Sequence, residues 1–306
     1  MPSTNNFNSF QLSLSQITDH LNDRFETLNN TAPTPTRSDI DSALLALPSE
    51  LPSAGLGTKE TVDHLLGDIT KGFLTGHAGS RFFGLVTGGV TPASQLADIL
   101  GTSYDESLQI NFPEASMAVA LEQKALDMVL DLLHIPVDMF QGRSVTTGAT
   151  ASNIMGLACA RDALLLNAKH LSEGYTIAEH GFPPPIPTHI TSTNSSPSYI
   201  PAIKIITVKP HGSVLKAAAI TGIGRINVVD LPKANHNDGD ADPWGLAFDL
   251  HELENELSAA QRVGQGVVVV VTLGEVNTVR WNARVVDQSI DPTFLYTPRK
   301  FRIEGS

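Results

Sequence analysis

The stretch Ser144-Val145-Thr146-Thr147-Gly148-Ala149-Thr150-Ala151-Ser152-Asn153 carries a short β-type run into a small-residue turn, and an apolar run follows at once. A helix starting there has first-turn N–H groups without intrahelical acceptors, at the positive end of its dipole, which together make a seat for an anion such as phosphate. Gly148 and Ala149 allow close approach to the backbone, and Thr150 adds a hydroxyl donor. The same residues also suit an ordinary strand-to-helix turn with Thr150 as N-cap. They spell neither a Walker loop nor the Gly-x-Gly-x-x-Gly of dinucleotide binders.

A second candidate is His211, in Lys209-Pro210-His211-Gly212-Ser213-Val214, just after a strand expected at 204–208. Residues beyond the carboxyl ends of parallel strands line the crevice of open α/β sheets, where an imidazole can stack on a flat ring or move a proton. For a lone histidine, a surface or capping role is the commoner one. Glu275, in Thr272-Leu273-Gly274-Glu275-Val276-Asn277-Thr278, is either a general acid or base or an exposed turn carboxylate. The other nine histidines have no paired metal-ligand spacing, so no metal site is expected. Cys159 lies in an apolar helical stretch and reads as a buried small hydrophobe rather than a reactive thiol.

The elements that must position these groups follow from periodicity and punctuation. Helical spacing runs over 12–28, and the TAPTPT stretch at 31–36 breaks it. Ser38-Asp39-Ile40-Asp41 supplies an N-cap and acidic first turn for a short helix to Leu47. Residues 58–73 form an amphipathic helix with Val62, Leu65, Leu66 and Ile69 on one face. Pro92 opens a helix through Tyr104, and 114–133 is a long helix. Residues 144–147 form a short strand and 151–166 a strongly apolar helix. The proline- and serine-rich run 180–199 is a mobile surface loop. Strands at 204–208, 227–230 and 267–272 then alternate with helices at 213–221 and 249–260, with a polar loop at 235–242. That alternation predicts an α/β layer on a largely parallel sheet.

Composition narrows the function classes. The chain has 306 residues, 41% hydrophobic and 17% charged, so a sizeable core can be buried. A net charge of −12 with no basic run excludes a phosphate-backbone partner, so no nucleic acid is expected. One cysteine leaves no disulfide framework and fits a reducing, cytoplasmic setting. The polar start has no signal-peptide pattern, and no run of about 18 apolar residues spans a membrane.

Five blocks stand in order: RFFGLVTGGVTPASQLADIL, a helix ending LDLLHIP, FQGRSVTTGATASNIMGLACARD, KPHGSVLKAAAITGIG and VVVVVTLGEVNT. Together they resemble the group II decarboxylases dependent on pyridoxal 5'-phosphate (PLP), the family of glutamate, tyrosine and aromatic-amino-acid decarboxylases. The resemblance runs from about Gly76 to Thr278, roughly two thirds of the chain. An unrelated nucleotide-binding α/β domain fits the turns but not the five ordered blocks.

The resemblance implies the large domain of the PLP-dependent transferase fold type I (aspartate aminotransferase-like). Its mainly parallel sheet is incomplete and flanked by helices. It further implies an N-terminal helical arm at 1–75, a PLP-binding domain at 76–279 and a non-family tail at 280–306. Carried over by position, Gly148, Ala149 and Thr150 cradle the cofactor phosphate, and His211 stacks on the pyridine ring and assists proton transfer. Phe82, Phe83 and Thr87 line the substrate side, and Asn277 and Thr278 lie near the cofactor. The family's typical threonines beside that last pair appear here as Glu275 and Val276. The implied substrate is an amino acid and the implied assembly a homodimer.

Two family groups have no counterpart: the lysine that holds PLP as an imine and the aspartate that pairs with the pyridine nitrogen. Lys300, in Pro298-Arg299-Lys300-Phe301, is the one lysine after Thr278, and neither Asp287 nor Asp291 has the expected context. The chain therefore reads as C-terminally truncated and inactive by itself, with PLP bound non-covalently at best. The alternative is a non-catalytic fragment that pairs with a full-length subunit. An incomplete sheet leaves an open edge and an uncovered apolar face, so poor solubility is expected for the chain alone.

Overall fold

A computed structural model describes residues 4–74, 76, 78–82, 89–133, 135–138, 140–166, 168, 171–183, 186–187, 199–231, 248–271, 274–275 and 280–281. The chain divides into two compact units, Met1–Ala118 and Val119–Ser306.

The first unit is helical among its described residues: α1 (Thr4–Thr27), α2 (Arg37–Leu45), α3 (Thr58–His64) and α4 (Pro92–Tyr104). Its α2 starts earlier than the Ser38 cap expected, because Thr36 and Asp39 make a reciprocal capping box. Those Thr36 hydroxyl and amide bonds hold the Asp39 carboxyl below its ordinary range. The single helix expected over 58–73 is instead α3, a π turn at Leu65–Ile69 and a 3₁₀ turn at Thr70–Gly72. The wider π turn rotates Leu65 out to solvent while Val62, Leu66 and Ile69 stay half-buried. At Gly72 an added Cβ would lie 2.8 Å from the Ala43 Cβ, so a side chain there would push α2 away.

The second unit carries the sheet. α5 (Ala118–Leu132) falls almost wholly within it, followed by α6 (Ala149–Leu166) and α7 (Ile177–His180). The helix expected from Glu114 begins later, where the Ser116 hydroxyl accepts the Ala118 N–H at 3.1 Å. Residues 144–147 are not a strand, for they have no ladder partner among the described residues; α6 starts immediately after them. β1 (Ile186–Pro187) and β2 (Tyr199–Ile200) pair antiparallel, and most residues of the expected 180–199 loop lie outside the described set.

β3 (Ile203–Thr207), α8 (Gly212–Ile220), β4 (Val228–Asp230), α9 (Leu250–Val263) and β5 (Gly266–Val269) then build a parallel three-stranded sheet in the order β4-β3-β5. Ile205 pairs with Val228 on one side and Val268 on the other. β3 puts isoleucines on both faces, and both are covered. Ile203 and Ile205 pack with Leu157, Leu165, Ala217 and Ala218 of α6 and α8, while Ile206 and Val208 pack with Leu253. Asp249 caps α9 by accepting the Glu252 N–H, and Gly264 ends it at φ 73°, a left-handed turn that glycine adopts without strain. β5 ends at Val269, short of the expected Thr272, and a further pair, β6 (Gly274–Glu275) with β7 (Arg280–Trp281), follows it. The expected polar loop at 235–242 lies outside the described residues. No helix among them is long and apolar enough to cross a membrane.

Cys159 is exposed, against the expectation of burial. α6 is apolar nearly all round, and it turns Leu157 and Leu165 to the sheet, which leaves Cys159 and Met155 on its outer face. α6 and α8 run parallel and are tied near both ends by bonds between residues 60 apart, Asn153 to Ser213 and Arg161 to Thr221. The Arg161 Nη1 donates to the Thr221 carbonyl, the C-cap of α8, at 2.6 Å, and its Nε donates to Asp162 at 2.8 Å. The Arg161 side chain is only 14% exposed. Arg161→Met is therefore expected to lower stability by about 1.5–3 kcal/mol, the range for hydrogen bonds to charged groups. Asp162→Asn, at a half-exposed side chain, should change it far less, and urea denaturation of the two variants checks the contrast.

Candidate cofactor site

The α6 start is built by small residues and braced from upstream. The Gly148 carbonyl accepts the Ser152 N–H at 3.1 Å, so Gly148 is the N-cap and Thr150 lies inside the first turn, two positions past the cap expected for it. The Thr146 hydroxyl donates to the Gly148 carbonyl at 3.0 Å, and its oxygen lies 2.6 Å from the Ser152 hydroxyl. With its one hydrogen committed, Thr146 accepts from Ser152. The amides of Ala149, Thr150 and Ala151 have no partner among the described residues. Gly148 and Ala149 are exposed, Thr150 is half-buried, and nothing lies within 4 Å of a Cβ built on Gly148.

The turn after β3 aims His211. Lys209 takes a left-handed conformation at φ 43°, which costs a residue with a Cβ about 1–2 kcal/mol. Its N–H donates to Asp230 Oδ1 at 2.8 Å, tying the turn to the end of β4. His211 is exposed and is the N-cap of α8: its Nδ1 accepts the Ser213 N–H at 3.2 Å and lies 2.7 Å from the Ser213 hydroxyl. Asn153 of α6 reaches across and donates from Nδ2 to that same hydroxyl at 2.8 Å. The cradle helix and the imidazole are therefore neighbours, joined through one buried serine.

Both groups stand at the carboxyl edge of the sheet. Leu164, near the end of α6, packs on Gly266 at the start of β5, so α6 runs against the strands and its N-terminus meets their carboxyl ends. A cavity of about 210 Å³ lies there between Ser152, Asn153 and Gly156 of α6, Val214 of α8 and Val268–Val270. Thr207, the last residue of β3, is buried, and its hydroxyl has no hydrogen-bond partner among the described residues. A wider concavity, about 440 Å³, is lined by Lys204, Ala260 and Gln265 beside the opposite ends of the strands. Its one charged lining group, Lys204, is already paired with Glu256 at 2.5 Å, so the smaller carboxyl-edge cavity is the candidate site.

The other residues singled out lie elsewhere. Phe82 is half-buried in the first unit, whereas the cradle and His211 belong to the second. Phe83, Thr87, Asn277 and Thr278 are outside the described residues. The Glu275 backbone sits in the short β6–β7 ladder. No group of three or more His, Cys, Asp and Glu among the described residues could hold a metal ion. Sequence reasoning passed over Asn153 and Ser213, and their signal was a pair of uncharged polar residues near the starts of two apolar helices. Each is followed eight residues later by the other member of a tie, Arg161 and Thr221.

The donor set suits a phosphate-bearing planar cofactor: free amides and a hydroxyl at a helix start, with an imidazole beside them. No family model matches the sequence, and comparison with curated proteins finds no match. Solved structures do match. The glutamate decarboxylase domain of the diaminobutyrate-pyruvate transaminase and L-2,4-diaminobutyrate decarboxylase of Vibrio parahaemolyticus aligns at TM-score 0.59 and 21% identity, over 85% of this chain and 50% of that one. Oryza sativa TDC with PLP and tryptamine aligns at TM-score 0.63 and 18% identity, over 90% and 53%. Catharanthus roseus tryptophan decarboxylase with L-tryptophan aligns at TM-score 0.62 and 16% identity, over 89% and 52%. The chain thus has the fold of the PLP-dependent decarboxylases of fold type I, and it spans about half the length of the structures it matches.

Proposed function

We propose that these residues form the cofactor-holding part of a PLP-dependent amino-acid decarboxylase, a carboxy-lyase of the group II family. The observation that carries the proposal is the hydrogen-bonded chain from Asn153 through Ser213 to His211, which joins an anion-binding helix start to an imidazole at the carboxyl edge of a parallel sheet. When bound, PLP supplies the electron sink that decarboxylation needs. The amides at Ala149 and Thr150, with the Thr150 hydroxyl, would hold its phosphate, and Gly148 would leave room for the close approach. His211 would stack on the ring and hold a proton beside it. The family resemblance assigns Phe82, Phe83 and Thr87 to the substrate side and Asn277 and Thr278 to the cofactor's surroundings. The setting is cytoplasmic, with an amino acid as substrate.

The 306 residues by themselves are inactive in this proposal, since no lysine or aspartate stands in the family's imine-forming or pyridine-pairing context. Titration with PLP tests both parts. The expected result is saturable binding, seen as an absorbance change with an induced circular dichroism band, that dialysis reverses even after borohydride. No binding would refute the cofactor reading. A reduced adduct on Lys300, or release of CO₂ from an amino acid, would refute the inactivity.

A second reading, pairing with a full-length subunit, is supported by apolar side chains left exposed on α5, among them Leu121, Met128 and Leu132. Co-expression with such a subunit followed by sedimentation analysis separates a mixed dimer from a lone fragment.

A further inference from the structure

We infer that Asn153 and Ser213 are positioning residues that hold His211 as the tautomer protonated on Nε2 and lock its ring to the helix bearing the phosphate cradle. The inference deepens the cofactor reading and rests on it only where the ring is said to face the cofactor.

The argument is a count of hydrogens. Nδ1 of an imidazole has one in-plane position, filled by either a hydrogen or a lone pair. The Ser213 N–H points at that position from 3.2 Å, so a hydrogen there would meet the amide hydrogen head-on. Nδ1 is therefore bare, and the neutral ring carries its proton on Nε2. The 2.7 Å contact between Ser213 Oγ and Nδ1 then has the hydroxyl donating. With its hydrogen spent, the Ser213 oxygen can only accept, and Asn153 Nδ2 donates to it at 2.8 Å. One direction satisfies all three contacts, from amide to hydroxyl to imidazole. Swapping the Asn153 oxygen and nitrogen would leave two acceptors facing one hydroxyl hydrogen.

The chain also sets the ring's plane. Ser213 is 4% exposed and held in the first turn of α8, and Asn153 is half-buried on α6. His211 itself is exposed, so without these contacts little else among the described residues restrains its ring. The edge left outward is the one bearing the Nε2 hydrogen, the group that the proposed function requires beside the cofactor ring.

The test reads the tautomer directly, without activity. The 306-residue chain, labelled with ¹⁵N-histidine and kept above the ordinary imidazole titration range, should show His211 with a bare Nδ1 and a protonated Nε2. In Asn153→Asp the carboxylate has no hydrogen to give and takes the serine's, so the Nδ1-protonated form should rise about tenfold relative to wild type. Asn153→Leu, which takes away the donor without adding an acceptor, should raise the Nδ1-protonated form only about twofold. Ser213→Ala removes one of two donors to Nδ1 and should weaken the preference about fivefold, with Ser213→Thr restoring it. Wild-type His211 protonated on Nδ1 would overturn the inference. So would an Asn153→Asp ratio equal to that of Asn153→Leu or, if Asn153→Asp does not fold, a Ser213→Ala ratio equal to wild type. PLP that fails to bind while the tautomer responds as expected would refute the cofactor reading and leave the lock standing.

Discussion

Ile205→Ala should lower the stability of the second unit by roughly 2–5 kcal/mol, the range for emptying a buried isoleucine site. Ile205 is 0% exposed in the middle of β3, and its side chain belongs to the cluster with Leu157, Leu165, Ala217 and Ala218. The alanines of α8 cannot swell to fill the gap, and β3 is held by ladders on both sides, so the cavity has little means of collapse. Domains have only about 5–15 kcal/mol in hand, so the loss is a large share of the total. Ile206→Ala removes the same atoms at 0% exposure on the opposite face, against Leu253 of α9, and should cost a similar amount. What separates the two is where the structure opens. Amide exchange should rise first in α6 and α8 for Ile205→Ala and first in α9 for Ile206→Ala. The same protection pattern in both variants would mean that the clusters on the two faces of the sheet are not separate units. The first variant should also slacken the Asn153–Ser213 contact, because both helices rest on Ile205, and the second should not.

The alternation of strands and helices after Ile203 was legible because each element has its own punctuation. Asp249 before and Gly264 after α9, Pro92 at the head of α4 and the β-branched residues of β3 and β5 all act through local backbone chemistry. What was not legible depends on partners. Residues 144–147 have strand-like composition, but a strand is a ladder, and composition does not say whether a neighbour is present. Cys159 sits in a helix apolar nearly all round, and such a helix carries little mark of which side faces the sheet. The capping box at Thr36 was overlooked because Ser38 is also a good cap. The Asp39 side chain decides between them by bonding back to the Thr36 amide. Nothing in the spacing at 58–73 signals the π turn at Leu65–Ile69, since the apolar positions fit an unbroken helix equally well.

The site divides the same way. The Gly148-Ala149-Thr150 turn and His211 are conspicuous as residue types, and the order of the five blocks pointed to the fold that the solved structures share. The link between the two places was not visible, because it runs through Asn153 and Ser213, which sit 60 residues apart and meet only when α6 and α8 lie parallel on the sheet. The left-handed Lys209 was equally silent: a lysine does not advertise that conformation, which the bond from its N–H to Asp230 helps to hold.

Thr150→Glu should drive stability and ligand binding in opposite directions, which no purely structural role for the α6 start would do. A carboxylate in the first turn of a helix interacts favourably with the free amides and the dipole, and is expected to stabilise by ~0.3–1 kcal/mol at low ionic strength. The same carboxylate would occupy the seat proposed for phosphate. Two unit charges about 4 Å apart repel by roughly 1–4 kcal/mol across the dielectric range from water to a protein surface. With about 1.4 kcal/mol per factor of ten, binding should weaken from severalfold to several hundredfold. Thr150→Val, which removes only the hydroxyl donor, should weaken it about two- to tenfold without the gain in stability. Calorimetric titration with PLP and with inorganic phosphate, run beside thermal melts of the three chains, reads both quantities. The expected pattern is a raised melting temperature and lost binding for Thr150→Glu, with unchanged melting and weakened binding for Thr150→Val. PLP bound by Thr150→Glu as tightly as by wild type would move the phosphate away from α6. His211 would then remain as a helix cap whose ring has no cofactor to cover.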